Sequence, residues 1–496
     1  MMLRDVLESA GVPNQLIGAK EVELNDLVCD SRAVTPGSAF VAIRGFHVDG
    51  HDYIDPALAQ GASAIFAETM PPADLASEVA WVRVASTDDA LGHLAAAFHG
   101  HPSEQIEVMA VTGTNGKTTV SWLVEAILKH AGHRAGLVGT IETHIGDLVE
   151  PAVFTTPFGD EMQRLLGRMR DADCSHAILE ASSHGLKQDR IAGVRIAAAG
   201  FTNLSRDHLD FHVTMEDYKA SKERLFSHYA LAAAINTDDP VGAAFADGFD
   251  GPLLKLSVAG DRTADVFVTE LDCDLDGCRA VVETPDGAVS LNLDLVGKHN
   301  VENALVALGM CRLVGVPFSV GAKALSSGAR VPGRLERVDG PRAVLVDYAH
   351  TPDALVNVLK GLRPMVSGRL ICVFGAGGNR DAGKRSHMGA AVERYADTPI
   401  VTSDNPRTEV PEEIIEAIVA GMAPEASRIV EVDRRAAIER AIAIATSDDL
   451  VLIAGKGHET YQVIGTTKHD FDDRKVASAA LNRLKVSSGQ LAGGAA

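Results

Sequence analysis

What this chain lacks narrows the reading first. No apolar run approaches the length needed to cross a bilayer. The opening Met1-Met2-Leu3-Arg4-Asp5-Val6-Leu7-Glu8 carries acids where a secretory signal keeps its apolar core. Both absences predict a cytoplasmic protein without membrane insertion. Cysteine is scarce: Cys29, Cys174, Cys273, Cys278, Cys311 and Cys372 are the only six among 496 residues. Only Cys273 and Cys278 are close, and their spacing is not that of a usual zinc site, so all six are expected as reduced thiols. Basic side chains are outnumbered, 46 against 67 acidic ones, for a net charge of −21. Such a surface repels nucleic acid and anionic membranes. An anionic substrate must therefore be held by a local cluster of donors and cations. No internal repeat or low-complexity segment is visible. The remaining composition, 46% hydrophobic and 23% charged, is that of a soluble globular protein long enough for two to four domains.

The most informative stretch is Val108 to Thr119. An apolar run, Val108-Met109-Ala110-Val111, reads as a buried strand. Thr112-Gly113-Thr114-Asn115-Gly116-Lys117-Thr118-Thr119 reads as a turn, and Val120 to Leu128 has helical spacing. Strand, glycine loop and helix in that order build a phosphate cradle. Glycines let backbone N–H groups approach the phosphates, the helix start adds positive potential, Lys117 reaches the outer phosphates and Thr118 can hold Mg²⁺. Only Thr114 and Asn115 separate the two glycines, where the standard loop has four residues.

Three α/β regions follow from the pattern. Residues 1–102 form a small N-terminal unit, with strands expected at Leu27–Arg32 and Ala39–Ile43, a helix at Asp88–His99, and a linker at His99–Ser103. Residues 103–332 repeat apolar strand, loop and helix, which argues for a mostly parallel, doubly wound sheet. Strands are expected at Ala177–Glu180 and Ala197–Thr202, a helix at Asp217–Tyr229, and a hairpin over Arg279–Leu291. Residues 333–496 form a second doubly wound, Rossmann-like unit with strands at Ala343–Val346, Leu370–Phe374 and Leu450–Ala454. The small, polar tail Ser487–Ala496 is expected to be disordered.

Two further stretches follow strands, where open α/β sheets bind ligands. Glu180-Ala181-Ser182-Ser183-His184-Gly185 offers Glu180 as a Mg²⁺ ligand, or a surface turn. Phe201 to Asp210 gathers polar, cationic, acidic and imidazole groups, and His208 reads as a metal ligand or as a capping or core histidine. Lys222 alone reads as a solvated lysine.

In order along the chain, these segments resemble the Mur ligases of peptidoglycan synthesis. The resemblance continues through Tyr218-Lys219-Ala220-Ser221-Lys222, Val331 to Glu336, Asp347 to Pro352, Gly375 to Asp381 and Gly455 to Glu459, so it covers essentially the whole chain. It implies a UDP-substrate domain at 1–102, a central P-loop-type ATPase domain at 103–332 and an amino-acid domain at 333–496. It implies ATP and Mg²⁺, with Lys222 carbamylated by CO₂ so that Thr118, Glu180, His208 and the modified Lys222 arrange the metal beside Lys117. Gly113, Thr114, Asn115, Gly116, Lys117, Thr118, Thr119, Asn300, Arg334 and Asp347 are the implied ATP contacts. Ser31, Thr155, Thr156, Ser182, Gln188 and Arg190 are the implied contacts to UDP-MurNAc-L-Ala-D-Glu. The sequence departs from the family at Phe46-His47-Val48 on the uridine side, at Asn379 and at Lys475.

The resemblance also implies the third residue of the stem peptide. Arg380, Asp404, Asn405, Pro406, Arg407, Gly455 and Glu459 match the amino-acid pocket. The Arg407 fork suits the distal carboxylate of meso-diaminopimelate, and Glu459 suits its distal ammonium. L-Lysine lacks that carboxylate. A folylpolyglutamate-type ligase is the rival within the class. A phosphotransferase or a nucleotide switch would use the phosphate loop but leave the 403–407 and 455–459 motifs without a role.

Overall fold

The computed structural model describes residues 1–45, 48–73 and 78–492, except the side chains of 485–492. Phe46 and His47 of the uridine-side departure lie outside the described residues. The chain divides into two compact units: Met1–Phe267 with Glu283–Val289 and Glu302–Ala324, and Val268–Val282 with Ser290–Val301 and Leu325–Ala496.

In the first unit, residues 1–102 build a five-stranded sheet in the order Asn14–Gly18, Ala80–Val84, Ala64–Ala67, Ser38–Val41, Asp26–Val28. Only the Asn14–Gly18 edge pairs antiparallel. The helix Thr87–Phe98 starts where the Ser86 hydroxyl accepts from the Asp89 amide at 3.3 Å, an N-cap that fixes its first turn. Gly92 on this helix lies so close to its neighbour that a Cβ there would stand 2.3 Å from the Ala192 carbonyl oxygen. A glycine is therefore required for the helix to lie against the segment that follows.

The second sheet of this unit has Glu107–Thr112 at its centre, between His176–Glu180 and Ile196–Phe201, and all three run parallel. Ala135–Val138 extends it on one side, Ala233–Asn236 and Leu253–Ser257 on the other. Val108, Met109, Ala110 and Val111 are all fully buried, as expected when helices cover both faces. The chain leaves Glu107–Thr112 to one side and later returns to its other side. Such a reversal, at the carboxyl end of the strand, is where open α/β sheets bind ligands. The expected helix at 217–229 runs from Met215 to Arg224, followed by a wider turn at Leu225–Tyr229.

At the opposite end of the His176–Glu180 strand, His176 is 5% exposed and its ring lies 4.4 Å from that of His133. Burial, and secondarily His133, hold its pKa down at about 4. The unfolded chain takes up this proton near the ordinary value of about 6.5, while the folded one resists until about pH 4. Stability is therefore present above pH 6.5 and falls as pH drops through this window. Thermal melts of wild type and His176→Gln should converge between pH 7 and pH 4.5, with a wild-type loss on the order of 2 kcal/mol that the variant lacks. Parallel curves would remove His176 from the acid response.

The second unit holds a six-stranded sheet in the order Glu336–Arg337, Ala343–Asp347, Leu450–Ala454, Leu370–Phe374, Thr398–Val401, Ile429–Val430. Every pair is parallel except the first. One face packs residues of helices Pro352–Leu362, Lys384–Tyr395 and Pro411–Val419; the other packs Arg434–Ile444 and the last helix. That helix runs Asp473–Ala492, so Ser487–Ala492 is helical where disorder was expected. No proline interrupts it, and the turn before it is anchored in the core by Val476, Ala477 and Leu481. Residues 493–496 lie outside the described residues.

One thiol expectation is corrected. Cys273 and Cys278 form a disulfide, with Cα atoms 4.1 Å apart. Cys273 lies near the end of strand Val266–Asp274 and Cys278 near the start of Gly277–Glu283, so the hairpin itself brings them face to face. The other four cysteines are free.

Candidate nucleotide and amino-acid sites

The glycine loop leaves the central strand at Gly113 (φ 152°) and enters the helix Lys117–His130 through Gly116 (φ 92°). Both glycines are demanded by close approach. A Cβ at Gly113 would lie 1.9 Å from Thr202 Oγ1, and one at Gly116 would lie 2.2 Å from Asn303 Oδ1. The loop is tied to the segment after the neighbouring strand. The Thr114 amide donates to Asn203 O at 2.8 Å, Thr202 Oγ1 donates to Asn115 O at 2.6 Å, and the Asn115 amide donates to Asn203 Oδ1 at 3.0 Å. Lys117 Nζ donates to the loop carbonyls of Gly113 (2.9 Å) and Thr114 (3.0 Å). Thr119 is buried in the first turn of the helix.

Glu180 ends the adjacent strand and is fully buried. Thr118 Oγ1 donates to its Oε2 at 3.0 Å and Thr140 Oγ1 at 2.8 Å; the Thr140 amide donates to Oε1 at 3.0 Å. The turn reading is thus excluded: this carboxylate is aimed at the first helical turn after the loop. Among the described residues, no group of three or more His, Cys, Asp and Glu side chains could hold a metal ion. The oxygen set here instead suits Mg²⁺, which typically takes one or two carboxylates and completes its shell with phosphates and water.

Lys222 is fully buried, not solvated. Its Nζ donates to Gly113 O at 2.7 Å and lies 4.5 Å from the centre of the Tyr218 ring. Burial, then Lys117, drives its pKa well below the ordinary lysine value, against the opposing pull of Asp207. His208 sits in the left-handed conformation (φ 52°) beside Asp207, its ring 4.9 Å from that of His184. Burial is the main cause that lowers its pKa.

The residues expected to hold the UDP substrate fall into one linked group and one outlier. Thr156 Oγ1 donates to Glu180 O (2.7 Å) and lies 2.9 Å from Ser182 Oγ, and Thr155 Oγ1 lies 3.1 Å from Thr140 Oγ1. Arg190 Nη1 donates to Thr156 O at 2.8 Å, and its guanidinium lies 4.0 Å over the Phe158 ring. The Gln188 amide donates to His184 O at 3.0 Å, closing the short helix that starts at Ser183. Ser31 stands apart in a short turn of the N-terminal sheet, its carbonyl accepting from Gln60 Nε2 at 3.1 Å.

In the second unit, three loops converge at the carboxyl ends of Leu370–Phe374, Thr398–Val401 and Leu450–Ala454. The Gly378 amide donates to Asn405 O at 2.9 Å, and Arg407 Nη1 donates to Gly378 O at 2.8 Å. Asn405 Nδ2 donates to Glu459 Oε2 at 2.8 Å. Gly455 (φ 119°) leaves room for Asp404, whose Oδ2 would lie 2.6 Å from a Cβ there. Arg407, half-buried, and Arg380, exposed, both border Gly377, and a Cβ on that glycine would meet Arg407 Nη1 at 3.0 Å. Pro406 packs its carbonyl against Gly378. Asn300, Arg334 and Asp347 also belong to this unit. Asp347 accepts the Leu335 and Ala349 amides, each at 2.8 Å, so it pins the turn carrying Arg334. Arg334 lies 4.7 Å over the Tyr348 ring, and Asn300 Nδ2 donates to Val296 O at 2.9 Å.

The sequence reading missed Thr140, Asn203 and Asn303. Thr140 follows the strand Ala135–Val138, so the strand-end rule could have found it. Asn303 is a buried polar residue in the apolar helix run Val301–Leu308, which is itself a signal.

A glycine loop at the switch point of a doubly wound sheet defines a nucleotide-binding α/β enzyme, here with a separate α/β unit bearing a second polar site. Comparison with known families narrows this class. Residues 23–99 match the description "Mur ligase family, catalytic domain", 111–311 "Mur ligase middle domain" and 333–457 "Mur ligase, glutamate ligase domain". The chain belongs to the Mur ligase family. A protein of Gloeobacter violaceus named UDP-N-acetylmuramoyl-L-alanyl-D-glutamate--2,6-diaminopimelate ligase is 42% identical over 491 residues, covering 98% of this chain and 99% of that one. Its namesake from Thermosynechococcus vestitus is 43% identical over 495 residues, with the same coverage. A solved structure of a ligase of that name is 33% identical, covers 98% of this chain and 100% of its own, and superposes with a TM-score of 0.71.

Proposed function

We propose that this protein is the ATP-dependent ligase that joins meso-diaminopimelate to UDP-MurNAc-L-Ala-D-Glu, in the cytoplasmic synthesis of peptidoglycan precursors that cell-wall growth and division require. The full-length identity of 42–43% to two 2,6-diaminopimelate ligases carries this reading. Among the described residues, no helix is long and apolar enough to cross a membrane.

A carboxylate and an amine do not condense at a useful rate, because oxide is a poor leaving group. In the proposed reaction the D-Glu carboxylate attacks the γ-phosphorus of ATP, ADP leaves, and an acyl phosphate forms. The amine of diaminopimelate then attacks the acyl carbon, loses a proton, and phosphate leaves from the tetrahedral intermediate. Gly113–Thr119 cradles the phosphates and Lys117 stabilises charge on the phosphoryl group in transfer. Thr118, Glu180, His208 and carbamylated Lys222 would hold Mg²⁺, which when bound supplies charge neutralisation. Thr155, Thr156, Ser182, Gln188, Arg190 and Ser31 are assigned to the UDP substrate, and residues 1–102, 103–332 and 333–496 to the three tasks of UDP-substrate, ATP and amino-acid binding.

Incubating the protein with ATP, UDP-MurNAc-L-Ala-D-Glu and either meso-diaminopimelate or L-lysine, then weighing the product, tests the reading. A tripeptide product with diaminopimelate is expected. Product with lysine alone would reassign the amino acid, and ADP release without any amide product would overturn the ligase reading. Arg407 supplies a finer check. Its guanidinium is half-buried, so loss of its carboxylate contact should cost about 2 kcal/mol, or roughly 30-fold in kcat/KM. Arg407→Ala should show that loss with diaminopimelate and little change with lysine. Equal losses with both would place Arg407 at the shared α-carboxylate or in the fold.

A further inference from the structure

Lys456 is fully buried, which is rare for a lysine and costly unless its charge is paired. Its Nζ donates to Glu459 Oε2 at 2.9 Å and to Asn405 Oδ1 at 3.2 Å. Asn405 closes the triangle by donating its Nδ2 to the same Glu459 Oε2 at 2.8 Å. The Val463 amide also donates to Asn405 Oδ1, at 2.9 Å, so the Asn405 amide has one orientation consistent with all its partners. The triangle joins the loops after two strands, Thr398–Val401 and Leu450–Ala454, which are separated in the sheet by Leu370–Phe374. An apolar side chain of similar length would fill the Lys456 position without burying charge. A buried ionic cluster in place of cheap packing, at the carboxyl ends of sheet strands, marks a site organised for something other than stability.

We propose that Lys456 is a positioning residue for the amino-acid substrate. It fixes Glu459 and Asn405 as one unit and so sets which carboxylate oxygen meets the incoming ammonium. Both protein donors converge on Oε2, which leaves Oε1 to accept the distal ammonium of a diamino acid. Lys456 itself does not touch the substrate. The Lys456 ammonium and the Asn405 amide hold Glu459 by one bond each, so the carboxylate is already oriented when the amino acid arrives and less rotamer freedom is lost on binding. The proposal rests on the diaminopimelate-ligase reading and deepens it.

The test compares Lys456→Met, Lys456→Arg, Glu459→Gln and the double variant Lys456→Met/Glu459→Gln, with steady-state constants for each substrate. Lys456→Met should raise KM for diaminopimelate about 10- to 100-fold, the range set by loss of one charge-assisted bond. KM for ATP should stay within about two-fold, as expected for a variant that keeps its nucleotide site. The double variant should be no worse than either single one, because both remove the same unit. Lys456→Arg, which keeps the charge, should recover part of the loss. A uniform rise in all three KM values, or additive losses in the double variant, would overturn the positioning role. If Lys456→Met does not fold, Lys456→Arg and Glu459→Gln still decide it: an unchanged diaminopimelate KM in both would overturn the proposal. Failure of the wild type to use diaminopimelate would instead strike the underlying reading.

Discussion

Lys222→Ala is expected to lower turnover about a thousand-fold, the upper range for removing one preorganised electrostatic group, and a small carboxylic acid such as acetate should restore part of the loss. The expectation starts from burial. Lys222 has no exposed surface, and its Nζ donates to the Gly113 carbonyl at 2.7 Å. Burial first, and Lys117 second, favour the neutral amine. A neutral amine attacks CO₂, forming an N–C bond and releasing one proton, and the resulting carbamate is a carboxylate-like oxygen ligand. It would stand beside the loop that Thr118 and Glu180 flank, where a cation offsets its charge. Acetate diffusing into the cavity left by Lys222→Ala supplies the same group untethered, so recovery should saturate with acetate concentration. Incubating wild type with ¹³C-labelled bicarbonate should give a carbamate carbon resonance that Lys222→Ala lacks. A fully active Lys222→Ala enzyme would end the idea. An inactive one that acetate does not rescue, with no resonance in wild type, would leave Lys222 as a neutral donor that merely shapes the loop.

The strands at Val108–Val111, Ala177–Glu180 and Leu450–Ala454 were readable because parallel strands covered on both faces are continuous apolar runs. The loop after the first was readable because glycine, lysine and threonine at fixed offsets have one dominant use. The hydrogen-bond donors around Glu180 were not readable. Thr118, Ser121 and Thr140 reach it across 62, 59 and 40 residues of chain, and only the packed sheet brings them together. Lys222 shows the same gap from the other side. Its helix is strongly polar, and nothing in Tyr218-Lys219-Ala220-Ser221-Lys222 says which lysine turns inward. Residue type misled at Cys273 and Cys278, since spacing excluded zinc but could not reveal that a hairpin places both at directly facing positions. The helix expected to reach Tyr229 ends at Arg224 because the next turn widens, a backbone choice that side-chain periodicity does not encode.

Lys117→Ala should abolish most turnover while leaving UDP-MurNAc-L-Ala-D-Glu binding intact. Lys117 begins the helix after Gly116, and its Nζ rests on the carbonyls of Gly113 and Thr114, within its own loop. Those two bonds hold a cation at the loop proposed to cradle the phosphates, and neither of them involves a group assigned to the UDP substrate. In the proposed reaction the charge that Lys117 would meet develops during phosphoryl transfer, so its loss should fall on kcat, by about two to three orders of magnitude. The loop should persist in the variant. The Thr114 amide to Asn203 carbonyl bond and the Asn115 amide to Asn203 side-chain bond involve no atom of Lys117. Calorimetric titration should therefore give the same affinity for the UDP substrate in variant and wild type, beside a single-turnover rate reduced as above. Loss of UDP-substrate binding together with a lowered melting temperature would mean that Lys117 chiefly holds the loop in shape. A variant with normal kcat and a raised KM for ATP would assign it to ground-state nucleotide binding alone.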